Sequence, residues 1–319
     1  MGTFDKLVGH IIDLNFTTHE AMIEAALLWQ IEEYQLDSGT FEGSMKAIHT
    51  SHIQLADTSR TNGIFIKGKT PKNGYMFASV ASEGKMTHNG LKIYEDELVV
   101  LAEDDDLDFI VSSAVDDVCI TIDKDFFDKV YEHYFHEPFN YDKVTKRIQL
   151  KENSAAEFRT ALKEILAELM VDSTNFLHNT AFLERSEQAI LQVIFQHIDI
   201  SRKRNKVLES EINANKIRNY LEKNYKNDIK VNELINNKNF SKRTIRFGFN
   251  NLFGLSPKQY LQCYRLGKIH HSLLKNDHSK DTVGRIAYEH GFSHMGRFSD
   301  NYKSMFGKTP SSTLKTTLI

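Results

Sequence analysis

Arg243 and Arg246 are the residues of this chain whose type and spacing best suit a defined chemistry. Positions three apart share one face of a helix. A guanidinium held there can donate paired hydrogen bonds to the O6 and N7 acceptors of a guanine in a major groove. At least one of the two is expected to meet a base edge, with phosphate contact as the competing reading. Lys242 precedes them, and Phe247 follows with an aromatic face suited to a thymine methyl group. A second group comprises His294, Gly296, Arg297 and Lys303. Lys242, Arg297 and Lys303 suit phosphate oxygens, which position a protein without reading sequence. His294 falls where a helix should begin, so it either caps that helix or meets a phosphate there. Gly296 offers no base-reading side chain and permits close backbone approach.

Other chemistries are less well supplied. His49 and His52 are spaced as metal ligands can be, but no third ligand accompanies them, so no metal is assigned. The run 103–106 (EDDD) lacks the glycine and closing glutamate of a calcium loop and reads as a solvated turn. Cys119 and Cys263 stand alone, outside any CxxC, as two buried thiols of a reducing compartment. No nucleophile–base pair is visible. The chain is therefore not expected to be an enzyme, and no catalytic residue, cofactor or ligand-binding residue is assigned.

The net charge of −3 conceals a segregation. From Asn205 onward there are 20 Lys+Arg and 9 Asp+Glu, against 20 and 34 before it, giving +11 and −14. A basic half joined to an acidic one is the footprint of a nucleic-acid-binding unit attached to something else. No apolar run reaches membrane-spanning length, and residues 1–10 lack the apolar core of a signal peptide, so a cytoplasmic location away from membranes is expected.

The acidic half begins with a helical segment at 18–27 and then turns β-like. Strands are expected at 29–36, 41–49, 52–57, 62–67, 75–81, 98–101, 107–112 and 118–122, parted by Gly- and Asp-rich breaks. That rhythm suits a small antiparallel barrel or sandwich, whose interior can hold a small ligand. Helices follow at 125–135, with Phe126, Val130 and Tyr134 on one face, from Ser154 with a capping box to Glu157, and at 185–200. Their apolar stripes could pack on the barrel or pair two chains. A polar, basic stretch beginning at Arg202 reads as a linker.

The basic half is helical and well punctuated. Short helices are expected at 215–224, with Ile217, Tyr220 and Leu221 on one side, and at 231–236. After a turn at 237–239, Ser241 caps a helix running to Phe253, which Gly254 ends. Ser256-Pro257 opens a long helix to about Lys275. The sequence at 282–290, the turn at Gly291 and the sequence at 294–306, ended by Gly307, repeat the short helix, tight turn and second helix. Ile245, Phe249, Phe298 and Tyr302 should face inward. An aromatic-x3-Phe-Gly-x2-Pro pattern closes both units, at 249–257 and 302–310.

Residues from about 210 to 318 resemble the paired helix-turn-helix domain of AraC/XylS-type transcription regulators. The resemblance is carried by Ser241-x3-Ile245-x3-Phe249-x3-Phe253-Gly254-x-Ser256-Pro257-x2-Tyr260-Leu261-x3-Arg265-Leu266 and by Ile286-Ala287-x3-Gly291-Phe292-x5-Phe298-x3-Tyr302-Lys303-x2-Phe306-Gly307-x2-Pro310. It implies two helix-turn-helix units joined by the long helix and reading successive major grooves on one DNA face. Three positions depart from the family pattern: Phe247 and Asp300 stand where many members are basic, and Gly296 lies inside the second recognition helix. More of the sequence reading is therefore expected from the first unit. Trp29-Gln30, Gln35-Leu36, Gly39, Phe41 and Gly43 resemble the start of the sensor domain in regulators of ethanolamine utilisation, as do residues 294–298 and 310–314. These scattered positions carry over no effector.

The expected fold is α+β in two domains, a small β-barrel or cupin-like sensor with flanking helices and an all-α double helix-turn-helix. The expected boundaries are 1–150 for the β-rich domain, 151–204 for helices that dimerise or pack, 205–214 for the linker and 215–319 for the DNA-binding domain. The resemblance implies a DNA-binding transcription regulator, an activator with double-stranded DNA, a second copy of itself and RNA polymerase as partners and a small-molecule effector. In the alternative, the N-terminal half only dimerises or binds a protein partner.

Overall fold

The computed structural model describes residues 7–144, 146–171, 179–199, 207–237, 241–275 and 281–315. Arg202 to Arg204 and most of the 237–239 turn lie outside the described residues.

The N-terminal half is two sheets packed face to face. The larger has the order β1 (Ile11–Phe16), β3 (Gly43–His49), β4 (Ile53–Arg60), β11 (Val115–Asp123), β6 (Gly74–Ala81), β9 (Glu97–Leu101), β12 (Arg147–Leu150), β13 (Ile198–Asp199). The smaller has the order β2 (Gln30–Gln35), β5 (Ile64–Lys69), β10 (Asp106–Val111), β7 (Met86–His88), β8 (Leu91–Lys92). Every pairing is antiparallel. Of the barrel or sandwich expected, the strands form two separate sheets without closing a barrel, and the domain is cupin-like in its packing.

Alternation along the strands decides what each sheet touches, because successive side chains point to opposite faces. In the large sheet Ile53, Leu55, Tyr75, Phe77, Leu98, Val100, Val118, Ile120 and Ile122 turn outward onto helices. Those helices are α2 (Lys124–Phe135), α4 (Ala155–Val171) and α5 (Thr180–His197), with the single turn α3 (Tyr141–Val144) beside them, whereas α1 (His19–Ala25) packs through Met22 on the opposite face, against Ile12, Met45, Ala47 and Ala56. The opposite set, including Met76, Ala78, Val99, Leu101, Val115 and Cys119, meets Ile64, Ile66, Leu107, Phe109 and Val111 of the small sheet across the interior.

Several local expectations shift. In α2 the buried residues are Phe127 and Tyr131, whereas Tyr134 is exposed, so the expected face is rotated by one position. Ser154 Oγ donates back to Lys151 O (2.8 Å), a turn before the helix in place of the expected capping box. The apolar stripes of α4 and α5 are spent on the large sheet, through Phe158, Leu162, Leu166, Ile190 and Ile194. A second copy would have to meet other surfaces. Strands β1, β7, β8, β12 and β13 escaped the sequence because they are short or follow polar text.

The C-terminal half is all-α. It comprises α6 (Glu209–Lys223), α7 (Val231–Asn237), α8 (Lys242–Phe253), α9 (Pro257–Lys275), α10 (Val283–Glu289), α11 (Met295–Phe306) and α12 (Pro310–Leu314). Residues 209–214, expected in a linker, belong to α6, where Ala214 is fully buried. Tyr220 lies on the exposed side of α6, opposite Ile217 and Leu221. One core joins Ile217, Leu221, Ile235, Ile245, Phe249 and Phe253 to Tyr260 and Tyr264 of α9. The other joins Ile286, Phe298, Tyr302 and Met305 to Leu266, Ile269 and Leu273 of the same helix. Thus α9 is the spine of both units, with its first half in one core and its second half in the other.

Candidate DNA-binding surface and effector cavity

Each recognition helix is fixed at both ends. Ser241 Oγ accepts from Thr244 N (3.5 Å) at the start of α8, and Gly254 ends it in the left-handed region at φ 66°. In α11 His294 occupies the N-cap position without a side-chain capping bond, and Gly307 ends the helix at φ 69°. Gly291 makes the tight turn before α11 at φ 86°. These backbone angles cost a glycine little and any β-carbon much more. Gly248, unremarked in the sequence, lets α6 approach α8: a Cβ there would lie 2.3 Å from Ser210 O.

With Ile245, Phe249, Phe298 and Tyr302 fully buried, the opposite faces are left to solvent. Lys242, Arg243, Arg246 and Phe247 are exposed on α8, as are His294, Gly296, Arg297 and Lys303 on or at the start of α11. Phe247 keeps 58 % of its surface accessible, unusual for an aromatic. A Cβ at Gly296 would meet nothing within 4 Å, so the surface there is bare backbone. Asp300 is exposed on the same helix.

Arg246, His294 and Arg297 line one open groove of about 700 Å³ between the two units, floored by Leu261 and Arg265 of α9. Lys242, Arg243, Phe247, Gly296 and Lys303 lie outside its lining. Sequence reasoning missed Lys258 and Asn301 in that lining, whose signal is their position on α9 and α11. Arg265 is not available to a ligand, because Nε and Nη2 donate to Tyr225 O and Asn227 O (2.6 Å each). Among the described residues, Lys242, Arg243, Arg246, Lys258, Arg297 and Lys303 form no ion pair with a carboxylate. They form a set of uncompensated cations on a surface that also presents an exposed aromatic.

The second site lies between the sheets. A cavity of about 120 Å³ is lined mainly by apolar groups, among them Trp29, Ile31, Ile66, Met76 and Phe109. Its polar end is Thr58, Arg60 and Asp117, with Gln54 six residues from Arg60 along β4 beside Trp29. Arg60 Nε donates to both carboxylate oxygens of Glu33 (3.1 Å each), and Nη1 to Thr58 Oγ1 (2.7 Å) and Asp117 Oδ1 (3.1 Å). His19 Nδ1 lies 2.6 Å from Glu33 Oε1. Burial opposes ionisation of Glu33, but the Arg60 guanidinium overcomes it and holds the carboxyl below its ordinary range. For Asp117 burial prevails over Arg60 and the carboxyl is raised. His49 and His52 do not converge: Gln54 Nε2 donates to His49 Nε2 (3.2 Å), and His52 Nδ1 pairs with Glu187 Oε2 (3.0 Å). No group of three potential metal ligands occurs among the described residues. Cys119 and Cys263 are free thiols, half-buried, with burial pushing the Cys263 thiol up to about 12.

A family profile described as a helix-turn-helix domain matches residues 236–316. The "Probable thc operon regulatory protein" of Rhodococcus erythropolis is 36 % identical over 97 residues, 30 % of this chain and 29 % of the relative. The "XylDLEGF operon transcriptional activator" of Pseudomonas putida is 33 % identical over 96 residues, 30 % of each. Residues 236–316 are a helix-turn-helix domain of the AraC type. The chain thus matches about 30 % of the length of these curated relatives. A crystal structure of "a probable AraC family transcriptional regulator" from Rhodopseudomonas palustris is 33 % identical across 32 % of this chain and 95 % of that one, with a TM-score of 0.30. Apo ToxT from Vibrio cholerae matches 90 % of this chain and 97 % of its own at 14 % identity, also with a TM-score of 0.30. Superpositions this loose say nothing about ligands. No described helix is long and apolar enough to cross a membrane.

The AraC-type domain is docked against the outer face of the small sheet. Tyr34, Leu36, Phe65 and Ile110 enter the core of its first unit. Arg218 on α6 is almost fully buried there. It is ion-paired to Asp108 of β10 and, through Nε, to Glu222 (2.6 Å). Lys67 of β5 pairs with the same Glu222, and Tyr260 Oη donates to it (2.5 Å). The second unit is held as well: Gln35 Nε2 donates to Met305 O (2.9 Å), Lys268 pairs with Glu32 (3.1 Å), and His270 Nε2 lies 3.1 Å from Glu20. Strands β2, β5 and β10 of the small sheet therefore have one set of side chains toward the cavity and the alternate set on the AraC-type domain. Glu33, Ile66 and Phe109 face in, whereas Glu32, Tyr34, Phe65, Asp108 and Ile110 face out.

Proposed function

We propose that this protein is a ligand-responsive, sequence-specific DNA-binding transcription regulator, an activator, that uses α8 and α11 to read one face of double-stranded DNA. One observation carries the reading: α8 and α11 present unpaired cations and bare backbone outward, while their apolar faces are fully buried. In helix-turn-helix proteins the second helix enters the major groove. Arg243 or Arg246 contacts a base edge, Lys242, Arg297 and Lys303 contact phosphates, and Phe247 packs on a thymine methyl. The unequal chemistry of α8 and α11 gives the first unit the larger share of sequence reading. The relatives' names, an operon regulatory protein and a transcriptional activator, support regulation over catalysis.

The cavity between the sheets is the effector site in this reading. Filling it would press on residues that alternate along β2, β5 and β10 with those gripping the DNA-binding units. A ligand that favours one arrangement of that sheet shifts the population of the DNA-competent state by its difference in affinity for the two. A second copy of the chain and RNA polymerase are the partners proposed, in the cytoplasm.

Salt tests the proposal. If about six cations neutralise phosphates, affinity should fall on the order of 10³-fold between 50 and 200 mM salt. The measurement is fluorescence anisotropy with the full-length protein and labelled double-stranded DNA. A flat response would remove the basic faces from the interaction.

A further inference from the structure

The charge arrangement at the polar end of the cavity limits what can occupy it; this step rests on the cavity being the effector site. Volume sets the first limit. A cavity of about 150 Å³ admits benzene. The 120 Å³ here is somewhat smaller, which sets an upper limit of one six-membered ring or a compact branched alkyl group. Its apolar lining excludes sugars and other molecules with hydroxyls all round, because each unanswered hydroxyl would be buried at a cost.

Charge sets the second limit. Arg60 is the cation at the cavity, and two carboxylates already answer it: both oxygens of Glu33 accept from Nε, and Asp117 Oδ1 accepts from Nη1. The formal charges of Arg60, Glu33 and Asp117 sum to −1, and among the described residues that line the cavity no unpaired cation is left for an incoming anion. A ligand carboxylate would face two carboxylates. A ligand ammonium would face Asp117, whose Oδ1 is taken by Thr58 and Arg60 while Oδ2 receives no hydrogen bond from the described residues. The Asp117 side chain keeps 21 % of its surface accessible and lines the cavity.

We propose that the cavity takes a compact apolar amine, its ring or branched alkyl group among Trp29, Ile66, Met76 and Phe109 and its ammonium on Asp117 Oδ2. Asp117 shares the single Arg60 guanidinium with Glu33, so a bound ammonium gives the second carboxylate a cation of its own, and pairing is the condition under which a buried charge is tolerated. Burial raises the Asp117 carboxyl, and an ammonium beside it would favour the ionised form that burial disfavours.

Three probes of one size test this: benzylamine, benzyl alcohol and benzoate, each titrated calorimetrically into the full-length protein at neutral pH. Benzylamine should bind about tenfold or more tighter than benzyl alcohol, since a charged hydrogen bond replaces a neutral one, and benzoate should not bind. Asp117→Asn should bring the amine and the alcohol to equal affinity. Ala78→Leu, which fills the cavity, should abolish binding of both. Tighter binding of benzoate or benzyl alcohol would overturn the amine assignment and leave the cavity standing as a ligand site. Failure of all three to bind would overturn both. Amine binding unchanged in Ala78→Leu would place the amine elsewhere and overturn the proposal.

Discussion

Replacing Arg218 by alanine should destabilise the full-length protein by roughly 3–5 kcal/mol, because one partner leaves a buried ionic cluster and the others lose their compensation. Arg218 lies almost fully buried between the rings of Phe65 and Phe253. It answers Asp108 and Glu222 together, so its loss leaves two carboxylates and only Lys67 beside them. Asp108 Oδ1 already lacks a hydrogen-bond partner, and burial holds its carboxyl above the usual range even with Arg218 present. The expected readout is a lower urea midpoint. The triple variant Arg218→Met, Asp108→Asn, Glu222→Gln should recover much of the loss, because apolar or neutral groups of similar volume can replace a buried ion cluster. A loss below about 1 kcal/mol would mean that water reaches the cluster and screens it as it does a surface pair.

Acid should weaken the fold well above the pH at which carboxylates titrate. Burial holds His49 at about 4, with His10 adding to the effect. Burial likewise holds His88 at about 4, where Arg147 and Lys146 oppose protonation and the Asp106 carbonyl favours it. Both rings are neutral when folded and take up a proton near pH 6.5 when unfolded. The unfolded state therefore binds more protons, and stability is lost as pH falls from about 6.5 towards 4. Each ring should contribute a loss of about 2 kcal/mol by pH 5, so the two together rank beside the Arg218 cluster. His88→Phe keeps an aromatic ring against Phe109 and cannot titrate. Its melting temperature should drop less between pH 7 and pH 5 than that of the unsubstituted protein. Parallel curves would assign the acid sensitivity to other groups.

Local text in the sequence revealed most of the DNA-binding half. Ser241, Gly254, Thr282, Gly291 and Gly307 mark helix ends through the chemistry of the chain itself, and the inward positions follow from a period of 3.6. All four residues expected at its core are fully buried. The strands of the other half were legible for the same reason, since alternation needs only neighbours. What alternation leaves open is which buried layer each face meets. Tyr34, Phe65 and Ile110 lie on three of the expected strands, yet they belong to the core of a unit that begins at Glu209. Sequence separation also hid the pairing of Arg60 with Glu33 and Asp117, and with it the polar end of the cavity. The expected dimer helices show a related limit: an apolar stripe announces burial and is silent about the partner, which here is the large sheet of the same chain.

The surface of α8 is central to the account, and Arg246 tests it most directly. Binding of the full-length protein and Arg246→Ala should be compared on a selected cognate duplex and on its scrambled counterpart, at one salt concentration. A base-reading Arg246 predicts a loss of roughly 1–3 kcal/mol on the cognate duplex, relaxed preference at one base pair and little change on the scrambled one. Equal losses on both duplexes, or none on either, would contradict sequence reading by this face.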